Sequence, residues 1–163
     1  MANYFDNIKN VPEHVVAESS RLTATGAGHI YDLEMIEDTD NGSIVAVGEH
    51  VEGQLFKAEA YAAGKKPYLV LTTPIAYNGN KGRSDEKYFY NAKGDVARAY
   101  ELYVGDIYTV SAKAFGEGKP AVGKYVDAAY ALTDAAGDNF VGQIIEEVNY
   151  TNSVSYRIRV IKL

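Results

Sequence analysis

The chain has 163 residues, of which 47% are hydrophobic and 23% charged, a balance typical of one globular domain with a buried core. Its net charge of −6 disfavours binding to a phosphate backbone, and the absence of cysteine excludes disulfide bonds, zinc–thiolate sites and cysteine nucleophiles. No apolar run is long enough to span a membrane, and the N-terminus lacks the regions of a secretory signal. We therefore expect a protein that is made in the cytoplasm and binds neither nucleic acid nor a membrane.

The first 27 residues are polar and weakly patterned, and Pro12 interrupts them. A short extended piece from His14 to Glu18 is the candidate strand in this region, and the remainder is predicted to be an extended N-terminal arm. A frayed terminus without a function is the competing interpretation.

A hairpin signal follows the predicted arm. Residues 29–36 fit either a strand or a short helix, and a β-branched strand follows at 43–47. Asn41-Gly42 lies between them, and this dipeptide favours a tight turn because both residues tolerate a positive φ angle. The pattern predicts a β-hairpin over residues 29–47.

The middle of the chain combines strand patterns with a polar loop. Residues 55–62 place apolar side chains at even positions, which favours an amphipathic strand, although their alanines also allow a helix. Residues 68–73 are an unbroken run of β-formers and are the best candidate for a central strand. Residues 77–86 are polar and flanked by aromatic residues. A solvated surface loop is predicted there, and a binding loop with aromatic walls is the alternative.

The last third of the chain repeats short alternating runs separated by turns. Residues 97–104 contain helix formers, but the Gly105-Asp106 link to the next strand favours β-structure on both sides. Residues 154–163 alternate with period two, which is the clearest strand pattern of the chain. Further strands are predicted at 107–111, at 125–126 and at 140–148, the last with Gly142 as a candidate bulge.

These elements predict a mainly β fold. We expect a compact β-barrel or sandwich with an extended N-terminal arm and at most one or two short helices. Residues 1–27 form the arm in this prediction, and residues 28–163 form a single β-rich domain. Two lobes, 28–76 and 87–163, joined by the loop 77–86, are the alternative division.

No group of residues has the spacing of a metal site or a catalytic site. His50 lies between Glu49 and Glu52, but an exposed polar turn is the simpler interpretation. Residues 38–42 share residue types with a calcium loop, yet the glycine falls one place early and the surrounding pattern is β, so a turn is predicted. Adjacent carboxylates such as Glu146-Glu147 point to opposite faces of a strand. The sequence accordingly predicts no enzyme activity, no metal and no cofactor.

Two stretches of the C-terminal half carry a resemblance to a known family. The first comprises Ala97-Arg98-Ala99-Tyr100, then Gly105-Asp106, then Val110-Ser111. The second comprises residues 121–126, then 140–145, then a last strand rich in Val, Ile and Arg. In these motifs the chain resembles the head decoration (capsid cement) proteins of tailed bacteriophages that infect Gram-positive hosts.

The resemblance implies a small β-barrel or β-tulip fold and a non-enzymatic, structural role. Proteins of this family bind the outer surface of the capsid across the junctions between subunits and stabilise the shell. The implied partner is the major capsid protein, and the implied location is the virion. A homo-oligomer is expected, with a trimer favoured. The family contributes no catalytic residues.

An arm that becomes ordered on the shell would add strand pairing to a neighbour, so the expected interface lies in the arm and near the polar loop. The expected capsid or partner contacts are Tyr4, Phe5, Val15, Val16, Tyr77, Tyr88 and Tyr90. The alternative function is a phage tail, head-fibre or adhesin module that binds host surface glycans, with the aromatic residues near 77–90 as stacking platforms. A small hydrolase is the weakest hypothesis, because no titratable groups converge in the sequence.

Overall fold

The structure, a computed structural model, describes residues 12–74 and 85–163. It consists mainly of β-strands with very little helix, which confirms the predicted fold class. The strands are β1 (Ala17–Arg21), β2 (Ile30–Glu34), β3 (Ile44–Glu52), β4 (Leu55–Ala60), β5 (Tyr68–Val70), β6 (Val96–Glu101), β7 (Ile107–Ser111), β8 (Tyr125–Val126), β9 (Leu132–Thr133), β10 (Val141–Tyr150) and β11 (Ser153–Lys162). The described helices are α1 (Thr23–Ala27) and two 3₁₀ helices, Glu86–Tyr88 and Ala112–Phe115.

Five strands close into a barrel in the order β2-β4-β3-β5-β6. β2 and β4 run parallel, and the other neighbouring strands run antiparallel. The inside of this barrel is narrow because barrel diameter grows with the number of strands. Small side chains fit the limited space: Ala58, Ala97 and Ala99 are at most 3% exposed and share the barrel core with Leu33 and Val70.

The other sheet has six antiparallel strands in the order β1-β7-β11-β10-β8-β9. Its buried face carries more aromatic side chains than the barrel interior does. Tyr108, Phe140, Ile144 and Ile158 are each no more than 2% exposed and belong to one apolar cluster. Barrel residues also belong to this cluster, so the six-stranded sheet and the barrel are packed together through a shared core.

Strands β3 and β5 contribute to both cores, because successive side chains of a strand point to opposite faces. Val45 and Tyr68 belong to the barrel core. Their neighbours Ile44 and Leu69 belong to the core shared with the six-stranded sheet. A strand that is buried on both faces has a continuous apolar sequence, which is the pattern found in β5.

Pairing of the strands settles the open assignments in the middle of the chain. Residues 55–62 and 97–104 fitted either helix or strand, and the structure has strands in both ranges: β4 ends at Ala60 and β6 ends at Glu101. The predicted central strand at 68–73 is confirmed as β5, although it ends at Val70.

The register between β10 and β11 shifts beside Gly142, but not as the predicted bulge has it. Val141 pairs with Lys162 and Gly142 with Val160, so the additional residue at this point is Ile161 of β11, and the additional residue in β10 is Ile145. A Cβ atom at position 142 would lie 2.5 Å from Ile158 Cγ2 and 3.0 Å from Val126 Cγ2. Glycine is therefore required at this point because β10 lies directly on the shared core.

The prediction of a hairpin over residues 29–47 is wrong. The Asn41-Gly42 turn is present, with the Ser43 N–H donating to the Asp40 carbonyl at 3.3 Å. The strands on either side of it do not pair with each other: β2 pairs with β4 and β6, and β3 pairs with β4 and β5. The connection 35–43 is instead tied to other parts of the fold, including a β-bridge between Thr39 and Asn91. These long-range contacts override the local turn signal.

The described part of the predicted arm, residues 12–27, is packed against the six-stranded sheet. β1 pairs with β7 from Ala17 to Arg21, and α1 follows. The buried Asp106 accepts hydrogen bonds from the N–H and the hydroxyl of Thr23 at 2.9 and 2.6 Å, and so stabilises the start of α1. Residues 1–11 lie outside the described residues, and the division into an arm and a domain remains a prediction.

Candidate partner interface

Residues 12–16 lead into β1, and we call them the anchor segment. Its last residue, Val16, is 3% exposed. The Val16 N–H donates to Ser111 Oγ at 3.0 Å, and the Val16 carbonyl accepts from the Ser111 N–H at 2.8 Å. Val15 is half-buried and packs against the shared core. Two hydrogen bonds to Ser111 therefore hold the anchor segment at the end of β7, and Val15 adds apolar packing against the shared core.

His14 fixes the other end of the anchor segment. Its N–H donates to the Lys87 carbonyl at 2.7 Å, and its ring Nδ1 lies 2.6 Å from Asp40 Oδ1. The second oxygen of Asp40 accepts from the Val15 N–H at 3.0 Å. The His14 ring also stacks on Tyr90, with the ring centroids 4.6 Å apart. One carboxylate and one aromatic ring thus hold this side chain in place.

The structure brings two of the predicted contact regions together. Val15 and Val16 follow His14, which contacts both Lys87 and Tyr90, so the anchor segment lies beside residues 87–90. This proximity across more than 70 positions of sequence was not visible in any local pattern.

The seven predicted contact residues differ in their availability. Val16 is buried, so its side chain is a core contact and is not presented to a partner. Tyr88 and Tyr90 are half-buried, and one face of the Tyr90 ring is covered by His14. Tyr4, Phe5 and Tyr77 lie outside the described residues.

A groove of about 760 Å³ lies alongside the anchor segment. One wall is formed by residues 12–15, and a second is formed by residues 36–45 with strand β4. Residues 113–114 and 128–130 close the third side. The buried hydroxyl of Tyr130 donates to the Gly42 carbonyl and so connects two of these walls. We call this feature the anchor groove.

The anchor groove is apolar inside and acidic at its edge. Ile44, Val45, Ala58, Ala114 and Ala128 contribute apolar surface. Among the described residues that line it, carboxylates outnumber lysines: the acidic ones are Glu13, Glu37, Asp38, Asp40 and Glu59, and the lysine is Lys113. Such a surface favours an apolar partner that carries positive charge.

A buried amide supports the connection that forms one wall of this groove. Asn41 is 8% exposed, and its Nδ2 donates to the Thr72 carbonyl at 2.8 Å. Its Oδ1 accepts from the Thr72 N–H at 3.0 Å and from Asn91 Nδ2 at 3.2 Å. The sequence identified Asn41 as a turn residue. Its tertiary role carries no local signal, because Thr72 and Asn91 are distant in the chain.

A second polar cluster lies at one end of the barrel, around the buried carboxylate of Glu101. This side chain is 5% exposed and lies 2.8 Å from Lys66 Nζ and 3.2 Å from His29 Nδ1. Burial raises the pKa of the Glu101 carboxyl, but the hydrogen bond and charge of Lys66, the hydrogen bond from Tyr103 and the charge of His29 together outweigh burial, so the net pKa lies below the usual 4.5. Burial and a hydrogen bond to Glu101 raise the pKa of the Tyr103 hydroxyl.

The polar groups of these two clusters are paired with one another and with the backbone. The pairing of His14 with Asp40 orients an imidazole, but within residues 12–74 and 85–163 no serine or threonine hydroxyl is hydrogen-bonded to that ring. In the same part of the chain no group of three or more His, Cys, Asp or Glu residues is placed to hold a metal ion. The polar contacts of the described residues join segments of the fold to each other.

Comparison of the chain with protein-family models, with curated proteins and with solved structures found no match. A search of the described helices for one of sufficient length and apolar character to cross a membrane was negative.

Proposed function

We propose that this protein is a non-enzymatic structural component of a bacteriophage virion, which binds the outer surface of the capsid and stabilises the shell. The observation that carries the proposal is the anchor segment. It is held rigidly by His14, Val15 and Val16 at the edge of an apolar, acidic-rimmed groove. The resemblance of the C-terminal half to decoration proteins is its second support.

The proposed mechanism is stabilisation of the shell by additional contacts between its subunits, without a chemical reaction. A decoration protein adds contact area across the junctions between capsid subunits, and a standard interface buries about 800 Å² per partner. Many copies of a modest contact raise the barrier to rupture of the shell, and a symmetric oligomer that touches several subunits gains further from multivalency. The partner is the major capsid protein, and a homo-oligomer, with a trimer favoured, is part of the proposal.

The test is co-sedimentation of the purified protein with expanded capsids and with unexpanded procapsids, quantified as copies bound per shell. We expect saturable binding to expanded shells at a copy number related to the capsid symmetry. Binding to neither shell would overturn the proposal. A glycan array would then test the tail or adhesin alternative, with Tyr88→Ala as the variant, since Tyr88 is the half-buried tyrosine of this region whose ring is not stacked on His14.

The contribution of the arm requires a deletion that leaves the fold intact. Removal of residues 2–18 would remove the buried Val16 and part of β1, so a loss of binding would have no clear meaning. Removal of residues 2–11 keeps the residues that make the described hydrogen bonds of the anchor segment. We expect this shorter deletion to retain the melting temperature and to lower capsid occupancy. Unchanged occupancy would exclude the arm from the capsid contact.

A further inference from the structure

We propose that the open edge of β10, residues 145–150, pairs antiparallel with the same edge of a second copy of this chain, about a twofold axis at Val148. The two six-stranded sheets then continue into each other across the axis. The proposal concerns a contact between copies, and it stands whether or not the protein binds a capsid or forms a trimer.

The first support is that β10 extends past the strand beside it. β10 is ten residues long, but its pairing with β8 is limited to residues 142–143. The backbone of Ile144 adds two hydrogen bonds to residues 123–124, of 2.8 and 2.9 Å. Beyond this point, residues 145–150 make no backbone hydrogen bond on the β8 side to any other residue that the structure describes. An unpaired edge of this kind is a template for another strand.

The hairpin between β10 and β11 determines which backbone groups face the open edge. Its turn residues 151–152 have φ angles of +50° and +57°, as in a type I′ turn. Tyr150 and Ser153, which flank a two-residue turn, form a hydrogen-bonded pair, and the two kinds of pair alternate from there. Glu147 and Asn149 occupy the non-hydrogen-bonded positions, so their N–H and C=O groups point away from β11.

The second support is that the open edge has little protection against pairing. Edge strands are commonly protected by lysine, proline or other charged residues. Residues 145–150 contain neither lysine nor proline. Their two glutamates are engaged within the hairpin: Glu146 forms an ion pair with Arg157, and Glu147 accepts a hydrogen bond from Tyr156, which together with burial raises the pKa of that hydroxyl. The hairpin itself therefore neutralises part of the charge of this edge.

The third support is that the sequence of the open edge is complementary to itself. When two copies pair about Val148, Glu147 of each copy lies opposite Asn149 of the other, and both pairs are of the hydrogen-bonded kind. Val148 lies opposite Val148, and Glu146 lies opposite Tyr150. No carboxylate is directly opposite another carboxylate, an arrangement that would be destabilising.

The other twofold registers are less favourable. An axis at Glu147 places the two copies of this carboxylate directly opposite each other. An axis at Asn149 places Glu147 opposite the turn residue Thr151, so one of the two hydrogen-bonded pairs falls outside the strand. The register about Val148 thus uses the outward groups of both residues. A twofold contact requires one patch that fits itself, which this edge provides.

The absence of cysteine from the chain allows a symmetric cross-link to test the axis. In a non-hydrogen-bonded antiparallel pair the Cα atoms are about 4.5 Å apart, within the range that a disulfide spans. Full-length Val148→Cys should therefore form a covalent homodimer on oxidation, which is measured on non-reducing gels.

The matched control is Val154→Cys, which lies on β11 of the same hairpin. Val154 is exposed, so its thiol is accessible to chance collisions, but it is one strand further from the axis than Val148. We expect at least a tenfold lower yield of homodimer from this variant. Equal yields from the two variants, or no homodimer from Val148→Cys, would overturn the proposal.

A second measurement does not depend on engineered cysteines. Asn149→Pro removes an N–H that faces the open edge and leaves the hydrogen bonds between β10 and β11 in place, whereas Asn149→Ser keeps that N–H. Both variants are compared with the full chain by sedimentation velocity between about 1 μM and 1 mM, the range of weak contacts.

We expect the full chain and Asn149→Ser to associate, and Asn149→Pro to require at least tenfold higher concentration for the same association. Equal melting temperatures would show that the hairpin is intact in both variants. A full chain that stays monomeric throughout, or a folded Asn149→Pro that associates as the full chain does, would contradict the proposal. If Asn149→Pro does not fold, the comparison of Val148→Cys with Val154→Cys decides.

Discussion

The barrel and the six-stranded sheet both bury apolar strands, but the barrel core contains more small side chains. Alanines at positions 58, 97 and 99 share the barrel core with Leu33, Met35, Val45, Tyr68 and Val70. The core beneath the six-stranded sheet contains Tyr108, Phe115, Tyr130, Phe140 and Tyr156. Closure of a sheet of five strands leaves little internal volume, whereas an open sheet has to fill the space between itself and its neighbour.

This difference predicts opposite sensitivities to mutation. Substitutions that remove side-chain volume should lower stability most in the core beneath the six-stranded sheet, because a truncated aromatic ring leaves a large cavity. Substitutions that add side-chain volume should lower stability most in the barrel core, because its strands cannot separate without breaking the closed hydrogen-bond pattern. The predictions below test this contrast from the largest expected effect to the smallest.

The largest effect is expected for truncation in the sheet core. Phe140 is 2% exposed, and its ring meets Tyr61 with the centroids 6.3 Å apart. Phe140→Ala should lower the free energy of unfolding by about 3–5 kcal/mol, and this is measured by urea denaturation. Phe140→Leu is the control that keeps most of the volume and should lose less. A loss below about 1 kcal/mol for the alanine variant would show that this core is not tightly packed.

The junction between the two cores depends on Gly42, which has a φ angle of +87°. A Cβ atom there would lie 2.9 Å from Val110 Cγ1 and 3.1 Å from the Cβ of Ala17. Gly42→Ala should therefore cost about 3 kcal/mol, from the left-handed backbone and the clash together.

The matched control for this substitution is Gly53→Ala. Gly53 also has a positive φ angle, +53°, but a Cβ there would meet nothing within 4 Å. Its expected cost is about 1 kcal/mol, from the backbone alone. Equal melting temperatures of the two variants would contradict a tight contact between the barrel connection and the six-stranded sheet.

Overpacking tests the barrel directly. Ala99 is fully buried inside it. Ala99→Leu should lower the free energy of unfolding by about 1–3 kcal/mol, because the added carbons have no space. Ala129→Leu adds the same volume at an exposed site and is expected to be neutral within about 0.5 kcal/mol. If Ala99→Leu were as stable as the parent in urea, the barrel would contain unfilled volume.

The smallest effect concerns the buried carboxylate at the barrel end, and it depends on pH. Because the pKa of Glu101 is lowered in the folded protein, its ionised form contributes stability above the unfolded value of about 4.5, and that contribution is lost as the pH falls through the lowered value. Glu101→Gln should cost about 1 kcal/mol at pH 7, since Lys66 is largely exposed and its attraction is screened.

The measurement for this site is the difference in urea midpoint between the parent and Glu101→Gln, from pH 7 down to pH 3. We expect the difference to shrink as the pH falls below about 4.5. A difference that is constant over the whole range would show that the charge of Glu101 does not contribute.

The strand assignments from sequence succeed where a strand has one consistent environment along its length. Residues 154–163 alternate because one face of β11 is buried and the other is exposed, and the structure has β11 at Ser153–Lys162. Residues 55–62 were ambiguous because the barrel interior requires a small residue at Ala58, and alanine is also a helix former. The small volume inside the barrel thus selects a residue whose intrinsic propensity does not indicate a strand.

The sequence predicted single residues of the candidate interface, but it did not predict which of them lie together. Val15 and Tyr90 were singled out separately, and the structure joins their regions through His14, which no pattern identified as a contact. Val16 was expected at a surface and lies in the core, since a β-branched residue in an extended piece fits either place. No local pattern predicted the anchor groove, because its walls come from five separate parts of the chain.

Composition and period-two alternation by themselves determined that this protein is acidic, lacks cysteine and is built from β-strands, because these properties depend on each residue and its nearest neighbours. Only the tertiary structure decided that β2 pairs with β4 and β6 in place of β3, that the strands form a closed barrel beside an open sheet, and that His14, Asp40 and Tyr90 meet. The physical reason is that strand partners and the contacts between distant segments are chosen by burial of side chains across the whole core, and the turn at Asn41-Gly42 is too weak to select them against that burial.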